Sequence, residues 1–314
     1  MALDFEKPIV ELEKKIQELR SFIADKKIDL SSEVKKLEEK LEHLRKNTYS
    51  NLTPWQKVQL ARHPQRPYTL DYINMLMTDF LQLHGDRLFG DDLALVCGLA
   101  RLDKKKILVM GHQKGRDTKE NLKRNFGCAH PEGYRKALRL MRLAEEFDLP
   151  IVVFIDTPGA YPGIGAEERG QSQAIATNLM EMVRISVPII SIVIGEGGSG
   201  GALGVGVADK VMVLENSYYS VISPEGCAAI LWKDGSKASQ AAEVLKLTGQ
   251  DLLKMGIIDE VIPEPLGGAH RDPAKTAQSI KETILRNFKV LETLDKEELL
   301  KLRYKKFRSM GVTG

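Results

Sequence analysis

The sequence predicts an α/β fold, and two observations carry that expectation. Continuous apolar runs of strand length alternate with stretches of helical spacing, and two of those runs end in glycine-rich turns that lead into helices. Ile151-Val152-Val153-Phe154-Ile155 and the run from Val187 to Ile194 show little apolar–polar alternation, as strands buried on both faces do. Largely parallel pairing with right-handed crossovers follows, either as a doubly wound sheet or as a spiral of strand-strand-helix units. The chain of 314 residues, 43% hydrophobic and 28% charged, has the composition of a soluble globular protein with one large core and an appendage.

The appendage comes first. Ile9, Leu12, Ile16, Leu19 and Ile23, then Val34, Leu37, Leu41 and Leu44, repeat at spacings of three and four with Glu, Lys and Arg between them. Two helices with narrow apolar seams are expected, broken at Asp25 to Ser32 with Ser31 or Ser32 as N-cap, so that residues 1–48 form a coiled-coil-like hairpin. Such a hairpin serves either as a docking element for another subunit or as a charged lid on its own domain. Pro54, Pro64 and Pro67 mark residues 49–70 as a linker.

The main domain is expected over 71–294, beginning with a helix from Asp71 to Leu83. Leu93–Leu102 and Ile107–Gln113 read as a hairpin closed by Asp103-Lys104-Lys105-Lys106. A helix over Glu132–Phe147 leads into the strand at Ile151. A helix from Ala166 to Ile185 precedes the strand Val187–Ile194, and another spans Gly201–Ala208. Short strands at Val211–Leu214 and Tyr219–Ile222 follow, then helices over Pro224–Trp232, Ser236–Lys246 and Asp251–Met255. Ile257–Ile262 is extended, and a long helix covers Asp272–Leu291. Residues 295–314 read as a C-terminal tail.

Five glycines lie within the seven residues Gly195 to Gly201, directly after a buried strand and before a helix. Bare backbone near a helix start offers peptide N–H groups to a small anion or oxyanion; the plainer alternative is a tight turn that lets elements pack closely. A second segment, Asp156-Thr157-Pro158-Gly159-Ala160-Tyr161-Pro162-Gly163, has the same placement, and two such loops at neighbouring strand ends could face one cleft. Neither matches the P-loop or dinucleotide fingerprints. Gly197-Gly198-Ser199-Gly200-Gly201 also contains Gly-x-Ser-x-Gly, so a serine hydrolase is a rival, with Asp209 or Asp259 and His270 as triad partners. An acyl-CoA hydratase or isomerase is another. It needs paired carboxylates, and Glu167 and Glu168 are the only candidates near a glycine loop, although adjacent helical positions point about 100° apart.

The net charge of +3 is too small to imply a nucleic-acid or membrane partner. Nine basic residues between Arg101 and Arg124 stand against three acidic ones, which suits ligand phosphates or a solvated or subunit-contact face equally. Nucleic acid is not expected, since aromatic interleaving is missing apart from Phe126. Cys97, Cys128 and Cys227 are widely spaced without a Cys-x-x-Cys pair, so no disulfide framework or metal site is expected. No stretch reaches the roughly 18 apolar residues of a membrane span, and residues 1–8 carry Asp4 and Glu6 without an apolar run. A cytoplasmic location is expected.

Longer motifs add a resemblance. Pro131-Glu132-Gly133-Tyr134-Arg135-Lys136-Ala137-Leu138-Arg139-Leu140-Met141, Phe154 to Gly163, Ala166-Glu167-Glu168-Arg169-Gly170-Gln171-Ser172, Gly195 to Leu203, Tyr219 to Gly226 and Pro265 to His270 together resemble the alpha-subunit family of the bacterial acetyl-CoA carboxylase carboxyltransferase, along nearly the whole chain. The resemblance implies the crotonase-like spiral, which would decide between the two architectures. It also implies carboxyl transfer from carboxybiotin, held on a biotin carboxyl carrier protein and charged by a biotin carboxylase, to acetyl-CoA, giving malonyl-CoA for fatty acid synthesis. Activity would need a beta subunit bearing a four-cysteine zinc ribbon, in an alpha2beta2 assembly, and the lack of Cys-x-x-Cys here fits the alpha role. By the same resemblance, the backbone of Gly200 and Gly201 forms the oxyanion hole for the biotin ureido oxygen. From its strand-end position the segment of Gly159, Ala160, Tyr161 and Gly163 is expected to line the biotin pocket, with Gly197 and Gly198 also expected to bind substrate; the resemblance puts the acetyl-CoA hole on the beta chain, and no side-chain general base is expected in this one.

Overall fold

The computed structural model describes residues 3–26 and 30–311. Residues 27–29 of the expected hairpin break, the first two residues of the 1–48 unit and the last three of the 295–314 segment lie outside the described residues. Helices α1 (Lys7–Lys26) and α2 (Ser31–Ser50) bury Ile9, Leu12, Ile16, Val34 and Leu41 against one another, the seam expected from spacing. Ser31 is the first helical residue, with Leu30 at the cap position. Glu6 ties the hairpin to the body: it accepts a 2.7 Å hydrogen bond from the Tyr49 hydroxyl and pairs with Arg271 at 3.5 Å.

The expected linker is ordered. Helix α3 (Pro54–Ala61) starts on a Thr53–Gln56 capping box, and α4 (Thr69–Leu76) follows. The helix expected to Leu83 stops at Leu76, because Met77–Gln82 pairs as edge strand β1 with β2 (Leu95–Leu102). Tertiary pairing overrides the local pattern there, with a register shift between Thr78 and Leu81 and Asp79 at φ 54°. β2 and β3 (Lys105–His112) make the expected hairpin around Asp103 and Lys104.

From β3 the sheet turns parallel: β4 (Ile151–Thr157), β5 (Ile189–Gly198), β6 (Lys210–Leu214) and β8 (Glu260–Ile262) continue it. The short β7 (Tyr218–Ser220) pairs instead with the far end of β5. Between the strands run α5 (Thr118–Lys123), α6 (Pro131–Glu146), α7 (Ile164–Glu168), α8 (Gln171–Met182) and the single-turn α9 (Ser199–Leu203). Then come α10 (Pro224–Trp232), α11 (Ala238–Leu245), α12 (Gly249–Lys254) and α13 (Pro273–Leu291). The single helix expected over 166–185 is interrupted by Gly170 at φ 80°, which separates α7 from α8.

Both sheet faces are buried, as the unalternating runs require. Ile151, Val153, Ile155 and Val193 pack toward α6 and α8, while Val152, Phe154, Ile190 and Ile192 pack toward α4 and α13. The expected C-terminal tail is instead helix α14 (Lys296–Arg308), which plugs the buried Arg303 into the base of the sheet. Its guanidinium pairs with Asp209 at 2.7 Å and donates to the carbonyls of Met182, Ile185 and Val187.

Candidate functional site

The site grows from a fork in β5. Its first half pairs with β6 through Val193, and its last residues, Glu196 to Gly198, pair with β7. On its other edge, pairing with β4 is irregular between Ile155 and Thr157. Backbone groups orphaned at such a fork need partners, and side chains supply them. Asp156 Oδ1 accepts the Glu196 N–H at 3.0 Å, and Arg66 Nε donates to the Ile194 carbonyl at 2.7 Å. Arg66 is itself held by Glu264 and by the Ser217 hydroxyl at 2.9 Å.

Charges then cross-link the two strand ends. Lys114 Nζ lies 2.7 Å from both Asp156 Oδ1 and Glu196 Oε2, while Arg62 Nε and the Tyr218 hydroxyl each reach Glu196 Oε1 at 2.7 Å. Burial disfavours the charge on Glu196, but Lys114 and Arg62 outweigh it and bring the carboxyl down to about 2. Burial likewise opposes the Lys114 charge, and the two carboxylates more than reverse it, so its pKa is raised. His112, at the end of β3, is fully buried; burial and then Lys114 outweigh the opposing effect of the Gly201 backbone and depress its pKa to about 3, leaving it neutral.

On this base the two glycine loops meet backbone to backbone. A Cβ on Gly198 would lie 2.1 Å from the Pro158 oxygen, and one on Gly201 would lie 2.4 Å from the Gly159 carbonyl carbon. One on Gly197 would strike the Tyr219 ring at 2.8 Å. Gly197, Gly198 and Gly201 are therefore buried packing glycines that allow close approach. Gly200 differs: its nearest neighbour would be Ile175 Cδ1 at 3.5 Å, and Gly159 meets nothing within 4 Å. Ser199, at φ 47°, holds a left-handed conformation at the strand-to-helix junction. Tyr161 stacks on His130 at 4.1 Å between centroids and folds over Gly163, whose Cβ would meet it at 2.4 Å. Beside Ser199 opens an apolar cavity of about 460 Å³ walled by Leu203, Tyr219, Val221, Phe307 and Met310.

The structure thus brings the two predicted loops together. It does not assemble the hydrolase triad: Asp209 is committed to Arg303 and Asp259 to Lys306, while His270 stacks on His63 at 3.8 Å. Glu167 and Glu168 are both exposed. Of the nine basic residues between Arg101 and Arg124, five are engaged in ion pairs within the chain. The residues that sequence reasoning missed are Arg62, Arg66, Lys114, Asp156, Glu196, Tyr218 and Glu264. A usable signal was present: Asp156 and Glu196 are single carboxylates terminating otherwise apolar strands, which demands buried cations.

The family model for acetyl co-enzyme A carboxylase carboxyltransferase-like proteins matches residues 2–311. The chain is 60% identical over 309 residues to the acetyl-coenzyme A carboxylase carboxyl transferase subunit alpha of Geobacillus kaustophilus, covering 98% of this chain and 95% of that one. It is 56% identical over 312 residues to the same subunit of Thermus thermophilus, covering 99% of each. Among solved structures, transcarboxylase 12S superposes with a TM-score of 0.55 at 21% identity, over 70% of this chain and 44% of that one. The beta subunit of the P. aeruginosa geranyl-CoA carboxylase gives 0.55 at 14% identity, over 84% and 46%. Those two likenesses show the fold, the crotonase-like spiral.

Proposed function

The chain belongs to the acetyl co-enzyme A carboxylase carboxyltransferase-like family, among its alpha subunits, and on that premise we propose how its glycine-rich site works. The reaction is carboxyl transfer to acetyl-CoA, forming malonyl-CoA for fatty acid synthesis, and a beta subunit completes the enzyme. Carboxybiotin on a separate carrier protein supplies the carboxyl group, with negative charge developing on the ureido oxygen as it leaves.

The observation that carries the site assignment is the looser packing at Gly200. In a turn where neighbouring glycines would clash with backbone or ring atoms, Gly200 would meet only the Ile175 side chain, at van der Waals distance, and it is the half-exposed glycine of the turn. Its N–H and that of Gly201 would receive the oxyanion, and removing one such preorganised donor costs about 2.7–4 kcal/mol in comparable sites. Gly159, Ala160, Tyr161 and Gly163 would line the biotin side of the hole, while Gly197 and Gly198 contribute by letting the loops close on each other. The Lys114, Asp156 and Glu196 charges satisfy one another beneath the loops and leave the backbone donors to act. The acetyl-CoA hole would lie on a zinc-ribbon beta subunit in an alpha2beta2 assembly, fed by carrier protein and biotin carboxylase in the cytoplasm. Among the described residues no helix is long and apolar enough to cross a membrane, and no group of metal-ligating side chains occurs.

The test is malonyl-CoA formation from acetyl-CoA and carboxybiotin by this chain, by a zinc-ribbon beta subunit, and by their mixture. Activity confined to the mixture is expected. Turnover by this chain alone would remove the composite site and return attention to Ser199.

A further inference from the structure

We propose that Lys114 is a positioning residue for carboxyl transfer: its ammonium, bound at once to the end of β4 and the end of β5, sets the spacing of the two glycine loops that form the oxyanion site. The inference rests on the functional reading above.

The sheet fixes that spacing only in part: the ladder runs to Ile155 and Val193, breaks, and resumes at the single pair Thr157 and Gly197. β4 and β5 lose regular pairing between Ile155 and Thr157, immediately before the loops begin. Across this break Asp156 Oδ1 accepts the Glu196 N–H at 3.0 Å, and Lys114 Nζ joins the two carboxylates, 2.7 Å from Asp156 Oδ1 and 2.7 Å from Glu196 Oε2. Without the ammonium, two carboxylates would face each other across the gap in a largely buried setting, and like charges so placed drive the strand ends apart. Arg62 cannot take over, because it is spent on the opposite oxygen of Glu196 and on Glu225.

The lysine is also held in one pose. Its side chain is 13% exposed, and Gly127 at φ 82° lies against its stem, where a Cβ would meet Lys114 Cγ at 3.0 Å. Gly195 has a matching role, since a Cβ there would sit 2.5 Å from Asp156 Oδ1. What depends on the clamp is the backbone contact of Gly198 with Pro158 and of Gly201 with Gly159 and Ala160. A misplacement of about 1 Å at such a site is enough to cost about 10²-fold in rate.

The experiment measures malonyl-CoA formation by the reconstituted pair with Lys114→Met, Lys114→Ala and, as a surface control, Lys105→Met. Both Lys114 variants are expected to lose about 10²-fold in kcat while KM for acetyl-CoA stays within about twofold, and Lys105→Met to keep the parent rate. Methylammonium, but not tetramethylammonium, should restore Lys114→Ala, a recovery that a general loss of stability would not show. Should neither lysine variant assemble with the beta subunit, Asp156→Asn carries the same expected fall in kcat. An assembled Lys114→Met with the parent's kcat, or a Lys114→Ala defect indifferent to methylammonium, overturns the proposal. A parent pair that makes no malonyl-CoA sinks the functional reading as well, whereas an active parent beside an equally active variant sinks this inference alone.

Discussion

The two ends of β5 are anchored by different physics. At its amino end, Arg303 of α14 meets Asp209, and Asp209 in turn accepts the Ile189 N–H at 2.7 Å. Lys306 joins Arg303, donating to the Asp209 carbonyl and to Asp259, so two cations of α14 and two carboxylates close the base of the sheet together with three carbonyls. At the carboxyl end, three cations, Arg62, Arg66 and Lys114, are threaded among Asp156, Glu196 and Glu264 to hold a fork open. At the base both cations come from one helix, whereas at the fork Arg62 and Arg66 come from the stretch between α3 and α4 and Lys114 from the loop after β3, so the base closes when α14 docks and the fork only when these separate segments meet.

That contrast predicts different failures. The largest expected effect is at the base: Arg303→Met strands Asp209 as an uncompensated buried charge and should lower unfolding free energy by about 3–5 kcal/mol, read by chemical denaturation. An unchanged midpoint would mean that the base is not a latch. At the fork, Gly200→Val should cost less stability than Arg303→Met, because its Cβ would meet only the flexible end of Ile175 at van der Waals distance, while kcat falls about 10²–10³-fold through the blocked donor. A stability loss as large as that of Arg303→Met would put Gly200 with the packing glycines.

The smallest effect is a pH slope. His112 titrates near 3 in the folded chain against about 6.5 in an unfolded one, so the unfolded state binds more protons between those values. Its contribution to stability is complete above about 6.5 and is lost as pH falls toward about 3. Urea midpoints should fall over that window and fall less steeply in His112→Leu; equal slopes would mean that the ring is solvated.

Legibility in the sequence followed the range of the interactions. The α1–α2 seam, the β2–β3 hairpin and the unalternating β4 and β5 were readable because each is written in a few neighbouring residues. The β1 edge strand was not, since its apolar positions suit a helix until β2 offers a partner. The two glycine loops were legible as loops, but not which glycines pack and which stay open, because that depends on Pro158, Gly159 and Ile175 reached across the fold. The buried cations were least legible of all. Arg62 and Arg66 stood in what read as a linker, Lys114 inside a basic run, and Arg303 in what read as a tail.

The Arg66–Glu264 pair joins residues 198 positions apart, and Lys114 spans 82 positions to Glu196. Closing loops of that length is slow compared with forming a helix or a hairpin, and the contacts return nothing until both partners exist. During synthesis the Arg66–Glu264 part of the fork therefore cannot form until Glu264 has left the ribosome. A nascent or truncated chain that stops short of Glu264 carries the glycine loops without this support, so the proposed oxyanion site would take shape only after residue 264 has been made.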